Sequence, residues 1–124
     1  MPMRELGTIV LVYKILAQSQ WRDALAVGSF AGSPDDMRDG FIHLSTGPQL
    51  SETVRRYFSN QPDLVLLAFE QRGFGDALRW EPSRGGALFP HLYAPLPAAN
   101  ALWVRPLPLD DGGVPVLPEG VIRC

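Results

Sequence analysis

Six apolar residues stand in an unbroken row at residues 64–69, where the chain reads Leu-Val-Leu-Leu-Ala-Phe after Asp63. A strand with one solvent-facing side alternates apolar and polar residues, so an unbroken row predicts a strand buried on both faces. Apolar material must then lie on both sides of it. The chain has 124 residues, 46% of them hydrophobic, which suffices for a core that buries about two-thirds of the unfolded surface.

The segments before this strand predict a first strand and a first helix. β-Branched and aromatic residues predict a central strand at residues 8–16. Ser19 is the expected N-cap of the helix, Trp21 its expected core anchor, and Gly28 its expected end. Residues 30–39 contain glycine, proline and three aspartates, and are predicted to form a loop.

A short strand at residues 40–45 precedes a second helix. Thr46 or Gly47 can cap this helix, and Pro48 suits its first turn, where the missing N–H is harmless. Its apolar face comprises Leu50, Val54, Tyr57 and Phe58. Later strands are predicted at residues 78–81, 88–92 and 101–105, with a turn at 83–86. Early helices and late strands predict an α+β fold with a mostly antiparallel, strongly bent sheet and two main helices.

We expect one domain over residues 1–124, with its core at about residues 8–106. Residues 107–124 are rich in proline and glycine, which interrupt regular elements. This C-terminal segment is therefore expected to be either an irregular wrap or a loose end. The apolar residues that could dock it on the core are Val114, Val116, Leu117, Val121 and Ile122.

The net charge and the cysteine content limit which partners the protein is expected to bind and which cell compartment it is expected to occupy. A net charge of −2 argues against nucleic acid, whose binding proteins carry a basic face. All cations except Lys14 are arginines, whose planar fork suits the phosphate or carboxylate of a small ligand. Cys124 is the single cysteine, so no internal disulfide forms, and we expect a cytoplasmic protein. No apolar segment approaches the roughly 20 residues of a membrane span, so we expect no membrane partner.

The first candidate for chemistry is the short strand that carries His43 and Ser45. Because side chains alternate along a strand, Phe41, His43 and Ser45 share one face. The imidazole and the hydroxyl could together meet a ligand hydroxyl or phosphate. The alternative is structural: His43 satisfies a nearby backbone group, and Ser45 begins the cap of the next helix.

The second candidate is a cluster of polar and aromatic residues in the late strands. Arg79 and Glu81 share a face of one predicted strand, and His91 and Tyr93 share a face of another. Arg84 lies in a turn that two glycines loosen, where backbone can approach a ligand closely. Together they predict a pocket for an anionic ligand with one carboxylate. The alternative is a weak surface pair beside a rigid structural corner.

Metal and serine-hydrolase chemistry are not expected. The aspartates at residues 35–39 lack the twelve-residue pattern of a calcium loop and are interpreted as solvated. Two histidines without a second cysteine argue against zinc. Ser45, His91 and Glu81 could form a triad on paper, but the chain lacks the Gly-x-Ser-x-Gly turn that presents such a serine.

Short motifs give the chain a resemblance to a known family. They are Val12-Tyr13-Lys14-Ile15, Gly28-Ser29-Phe30, Asp39-Gly40-Phe41-Ile42-His43-Leu44-Ser45, and Arg79-Trp80-Glu81 with Phe89-Pro90-His91-Leu92-Tyr93. Over about residues 8–106 the chain resembles an uncharacterised bacterial family, a domain of unknown function. The resemblance implies an ADP-ribosyltransferase-like fold that is similar to RNA 2′-phosphotransferases.

That resemblance implies NAD or a related nucleotide as the ligand and, in an enzyme, transfer of ADP-ribose. His43 and Ser45 would hold ribose, and Arg79 or Arg84 would hold the pyrophosphate. Glu81 would stabilise the cationic glycosyl transition state or orient the acceptor. The expected catalytic residues are Glu81 and His43, and the expected ligand-binding residues are Ser45, Arg79, Arg84, His91, Tyr93 and Tyr13.

Two other functions remain open. The domain could bind a small phosphorylated ligand without breaking a bond, or it could be a protein-interaction domain whose aromatic segment is simply core. The nucleotide hypothesis requires a particular arrangement: His43 and Glu81 must lie on the same side of the molecule and border one hollow.

Overall fold

The apolar row forms the middle strand of a three-stranded antiparallel sheet in the computed structural model, which describes residues 9–121 apart from the side chain of Arg84. Its side chains enter two separate apolar clusters. Val65, Leu67 and Phe69 pack into one cluster, while the alternate residues Leu64 and Leu66 pack into the other. The prediction of a strand buried on both faces is therefore confirmed.

The described residues contain eight strands and three α-helices. In chain order they are β1 (Leu11–Ala17), α1 (Gln18–Val27), β2 (Ser29–Phe30), α2 (Pro34–Asp39), β3 (Ile42–His43), α3 (Gly47–Tyr57), β4 (Leu64–Glu70), β5 (Leu78–Pro82), β6 (Leu88–Leu92), β7 (Leu96–Pro97) and β8 (Trp103–Leu107). Short 3-10 segments lie at Gln71–Ala77, Arg84–Gly86 and Ala98–Asn100. None of the helices within residues 9–121 has the length and apolar character needed to span a bilayer.

The strands form three antiparallel sheets, in the orders β1-β4-β8, β3-β6-β5 and β2-β7. The first two sheets are joined through the backbones of Tyr13 and Ser45. The Tyr13 N–H donates to the Ser45 carbonyl at 2.8 Å, and the Ser45 N–H donates to the Tyr13 carbonyl at 3.0 Å. The α+β class with antiparallel sheets and few helices is confirmed.

Three local predictions are corrected. β4, rather than the first strand, is the middle strand of its sheet, and β1 lies beside it. Ala17, rather than Ser19, is the N-cap of α1, because Gln20 folds back to accept the Ala17 N–H at 2.9 Å. Gly28 ends α1 as predicted, with a left-handed φ of 102°.

The third correction concerns the predicted loop at residues 30–39, which contains α2. Ser33 caps this helix and Pro34 occupies its first turn. The Asp36 carboxylate accepts the Ser33 N–H at 2.9 Å, and the Ser33 hydroxyl accepts the Asp36 N–H at 3.2 Å. This reciprocal capping box satisfies helix-end donors that would otherwise lack partners.

The C-terminal segment wraps irregularly against the core up to residue 121. Leu109 pairs with Pro115 through an isolated bridge, and Val121 is buried in the cluster on one face of β4. Val114 and Leu117 pack against the same cluster, whereas Val116 is exposed. Parts of the predictions involving Thr8, Ile122 and Cys124 lie outside the described residues.

Candidate functional site

The centre of the site is the buried carboxylate of Asp36, which the capping box of α2 fixes in place. Only 2% of Asp36 is exposed. Lys14, from the middle of β1, donates to both of its oxygens, at 2.9 Å and 3.3 Å. The His43 N–H donates to it at 3.0 Å. With the Ser33 bond, the carboxylate is almost fully surrounded by donors, as a buried charge requires.

Electrostatics keep Asp36 ionised despite its burial. Burial alone would raise the pKa of Asp36, but the hydrogen bond from His43 and the charge of Lys14 together hold this pKa well below its usual range. Lys14 also donates to the backbone carbonyl of His43 at 3.0 Å, which ties β1 to β3.

The imidazole of His43 lies between two carboxylates of α2. Its Nδ1 is 2.6 Å from Asp36 Oδ1, and its Nε2 is 2.9 Å from Asp39 Oδ2. Arg38 donates to Asp39 at 3.0 Å, and the hydrogen bond from this guanidinium lowers the pKa of Asp39. The short helix therefore presents His43 with carboxylate oxygens at both ring nitrogens.

A second imidazole–carboxylate pair lies on β5 and β6. His91 Nδ1 is 2.7 Å from Glu81 Oε1, and the Tyr93 hydroxyl donates to the same oxygen at 2.8 Å. These two hydrogen bonds, that from His91 first, lower the pKa of Glu81. Arg79 stacks on the Tyr93 ring, with its guanidinium carbon 4.7 Å from the ring centroid.

Strand register brings the two histidines together. His43 of β3 is the direct partner of His91 of β6, and Arg79 of β5 is the partner of His91 on its other side. The two imidazole centroids are 5.8 Å apart, with the rings edge to face. Phe41 stacks on His91 at a centroid distance of 3.9 Å and packs against His43 at 4.7 Å.

A cavity of about 580 Å³ opens beside this row of side chains. Its volume is within the range of about 300–1,000 Å³ that is typical of small-molecule sites. Its lining includes both histidines and residues from β1, α2 and α3. The polar lining residues are Tyr13, Lys14, Gln20, Ser33, Asp35, Asp36, Arg38, Asp39, His43, Ser45, Thr53, Tyr57, Gln61, Ser83 and His91.

The predicted site residues divide into two groups. Lining the cavity are Tyr13, His43, Ser45 and His91. Glu81 and Tyr93 lie next to the cavity, where they hydrogen-bond to each other, and Glu81 bonds to His91 as well. Arg79 stacks on Tyr93, and the side chain of Arg84 lies outside the described part of the chain. His43 and Glu81 are thus linked through His91, on the same side of the molecule.

Three important residues were missed in the sequence: Lys14, Asp36 and Asp39. The interpretation of the aspartates as a solvated loop is wrong for Asp36, which is buried. The signal that could have found it was Ser33-Pro34-Asp35-Asp36, a capping box with proline in the first turn. Among the described residues, no group of three or more potential ligands is arranged to hold a metal ion.

Comparisons with known proteins give one family and one close structural relative. The family model described as "Protein of unknown function (DUF952)" matches residues 15–104. The crystal structure of Protein CC0527 from Caulobacter crescentus is similar, with a TM-score of 0.84 and 51% identity over 86% of this chain and 94% of that one. The solution NMR structure of CC0527 has a TM-score of 0.78 and 51% identity, over 85% and 90% of the two chains. No curated protein matches.

Proposed function

We propose that this chain, which belongs to the DUF952 family, binds NAD or a related nucleotide in the cavity beside His43 and His91. One observation carries the proposal. Two imidazoles, each with Nδ1 against a carboxylate, meet on adjacent strands and line the same small-molecule cavity. A carboxylate at Nδ1 fixes the orientation of each ring, and at His43 a ligand would compete with Asp39 for Nε2.

The polar lining suits the ribose of a nucleotide. Carboxylates accept hydrogen bonds from sugar hydroxyls, and Asp39 reaches the cavity with a third of its side chain exposed. His43 and Ser45 also line the cavity, and the backbone of Ser45 joins the two larger sheets. In this proposal the ribose hydroxyls bind at His43, Ser45 and Asp39.

A cation for the phosphates is also present at the cavity. Arg38 lines it, and its guanidinium is paired with Asp35 and Asp39 at the surface. An exposed pair of this kind is weak, so a phosphate can take over the guanidinium at little cost. Arg38 therefore joins Arg79 and Arg84 as a proposed pyrophosphate ligand.

The same proposal includes a specific fold, that of the ADP-ribosyltransferases. An ADP-ribosyltransferase-like fold is supported by two three-stranded antiparallel sheets that are joined through the backbones of Tyr13 and Ser45. In the catalytic form of the proposal, ADP-ribose is transferred from NAD. Glu81 then acts through His91, because its carboxylate already accepts hydrogen bonds from His91 and Tyr93.

Thermal unfolding in the presence of NAD, ADP-ribose or AMP tests the binding. Ligand at 100 times its Kd should add about 2.7 kcal/mol to the free energy of unfolding. His43→Ala should abolish this increase, whereas Arg56→Gln, on the exposed face of α3, should not. If none of the three compounds stabilises the protein, the proposal is refuted.

Turnover is tested separately by following NAD over time. A transferase should release nicotinamide, and Glu81→Gln should abolish the release without unfolding the protein. Binding of NAD without its consumption would favour the non-catalytic module, which uses the same cavity to hold a phosphorylated ligand. For the alternative of a protein-interaction domain, the combined Arg79→Ala and His43→Ala variant should leave partner binding intact.

A further inference from the structure

We propose that His43 and His91 also act as an acid–base pair that hydrolyses a five-membered cyclic phosphate, as found in nucleoside 2′,3′-cyclic monophosphates. The inference rests on the proposed function, because it requires a nucleotide in the same cavity. It goes further in assigning a bond-breaking reaction that needs no NAD. It is based on the positions of the two imidazoles relative to each other, and not on either ring alone.

The two rings are positioned for one shared phosphoryl group. Their centroids are 5.8 Å apart, and their strands pair directly at these two residues. Hydrolysis of a cyclic phosphodiester places the attacking and the leaving oxygen on opposite sides of phosphorus. Two imidazoles with this centroid spacing that both line one cavity can each bring a ring nitrogen to one of those oxygens.

Different surroundings give the two histidines different roles. His91 has a carboxylate at Nδ1 from Glu81, so its Nδ1–H donates there and Nε2 keeps a lone pair for a proton. His43 has carboxylates at both nitrogens, from Asp36 and Asp39, and only the protonated ring can donate to both. His91 is therefore the general base and His43 the general acid.

The reaction balances with water as the only co-reactant. His91 Nε2 takes a proton from water as the water oxygen forms a bond to phosphorus. The bond from phosphorus to one ribose oxygen breaks, and that oxygen receives the proton from His43 Nε2. The product is a nucleoside monophosphate with a free neighbouring hydroxyl, and proton exchange with solvent restores both rings.

The surroundings favour a cyclic phosphate over other phosphate esters. Strain in the five-membered ring lowers the barrier, so that two histidines suffice for hydrolysis. Arg38 supplies positive charge for the non-bridging oxygens. The leaving oxygen takes the place of Asp39 at His43 Nε2, and Asp39 can withdraw because it lies at the exposed C-terminal end of α2.

The test measures conversion of the four nucleoside 2′,3′-cyclic monophosphates by ³¹P NMR. Asparagine is the chosen replacement, because its amide can reproduce Nδ1 as a donor and lacks Nε2. His43→Asn and His91→Asn should each lower kcat by about 10²–10⁴-fold. The double variant should be little worse than either single variant, because the two groups act as a unit. Arg56→Gln serves as the surface control.

A further variant distinguishes loss of catalysis from loss of folding. Glu81 is a positioning residue on the outer side of His91, and Glu81→Gln should lower kcat at least tenfold with KM little changed. Unchanged kcat in this variant, or hydrolysis that persists in both asparagine variants, would overturn the inference. So would absence of hydrolysis by a wild-type protein that NAD stabilises, an outcome that leaves the proposed function standing. A protein that neither binds nucleotides nor hydrolyses them would refute both.

Discussion

The two imidazole–carboxylate pairs share one hydrogen-bond pattern but differ in the surroundings of the carboxylate. Asp36 has 1% of its side chain exposed and accepts from Ser33, Lys14 and His43. Glu81 has 35% of its side chain exposed and accepts from His91 and Tyr93. Similar hydrogen bonds therefore differ greatly in how much stability is lost when they are removed.

Solvent explains the difference. Water cannot reach Asp36, so loss of its charge leaves Lys14 buried without a counter-charge, and buried ions without partners are strongly destabilising. Water can replace the partners of Glu81, and exposed ion pairs contribute little to stability. We therefore expect the Asp36 pair to determine folding as well as function, and the Glu81 pair to determine function alone.

Asp36→Asn is expected to have the largest effect. The substitution keeps the shape of the side chain but removes the charge that compensates Lys14, so about 3–5 kcal/mol of stability should be lost. Chemical denaturation measures this loss. The matched control is Asp35→Asn on the same helix, whose exposed side chain should change stability by no more than about 0.5 kcal/mol. Similar losses in the two variants would refute the contrast.

Lys14→Met should be the next most destabilising change. It leaves Asp36 buried without the ammonium, at a cost of about 3 kcal/mol. Combining Lys14→Met with Asp36→Asn removes both charges, so the double variant should lose less stability than the sum of the two single losses. The coupling energy from this cycle should be about 1–3 kcal/mol. Simple additivity would show that the two residues do not act as a pair.

Acid should narrow the gap between the wild type and Asp36→Asn. The pKa of Asp36 is depressed in the folded state, against about 3.9 in an unfolded chain, so the unfolded state takes up the proton first. The stability from this carboxylate is fully present above about pH 4 and is lost as pH falls towards the folded pKa. The difference in stability between the two proteins should therefore begin to shrink as the pH falls from neutral to about pH 3. A constant gap would contradict this assignment.

Glu81→Gln should lower the melting temperature less than Asp36→Asn does, because the substituted side chain is about a third exposed and its charge does not compensate a buried ammonium. Tyr93→Phe should have the smallest effect, since it removes one hydrogen bond at the surface. Differential scanning calorimetry measures the melting temperatures of the three variants and ranks them. A melting temperature for Glu81→Gln below that of Asp36→Asn would reverse the comparison.

The sequence predicted those elements whose signals are local and repeated. The apolar row of β4 and the spaced apolar residues of α3 both extend over several residues, and both elements formed near their predicted positions. Alternation predicted that Arg79 and Glu81 share one face and that His91 and Tyr93 share another, and the structure brings Glu81 to both His91 and Tyr93. The register that sets His43 opposite His91 depends on contacts between distant segments, so no local pattern contains it.

α2 was missed for a different reason. Six residues are too few to show a helical period, and its proline and aspartates, with Gly32 just before it, are also typical of loops. The lone lysine was noticed only as a compositional oddity, although a charge within an apolar strand needs a buried partner. The inner part of the site therefore could not be assembled from separate motifs.

Asp36 caps the start of α2 with the same carboxylate that orients His43 and neutralises Lys14. A mutation there cannot alter the chemistry of the imidazole without also loosening the helix and exposing an ammonium. Substitutions that alter the cavity without disturbing Lys14, Asp36 and His43 are therefore expected at its exposed lining residues Arg38 and Asp39. Lys14, Asp36 and His43 together hold one side of the cavity in a single arrangement.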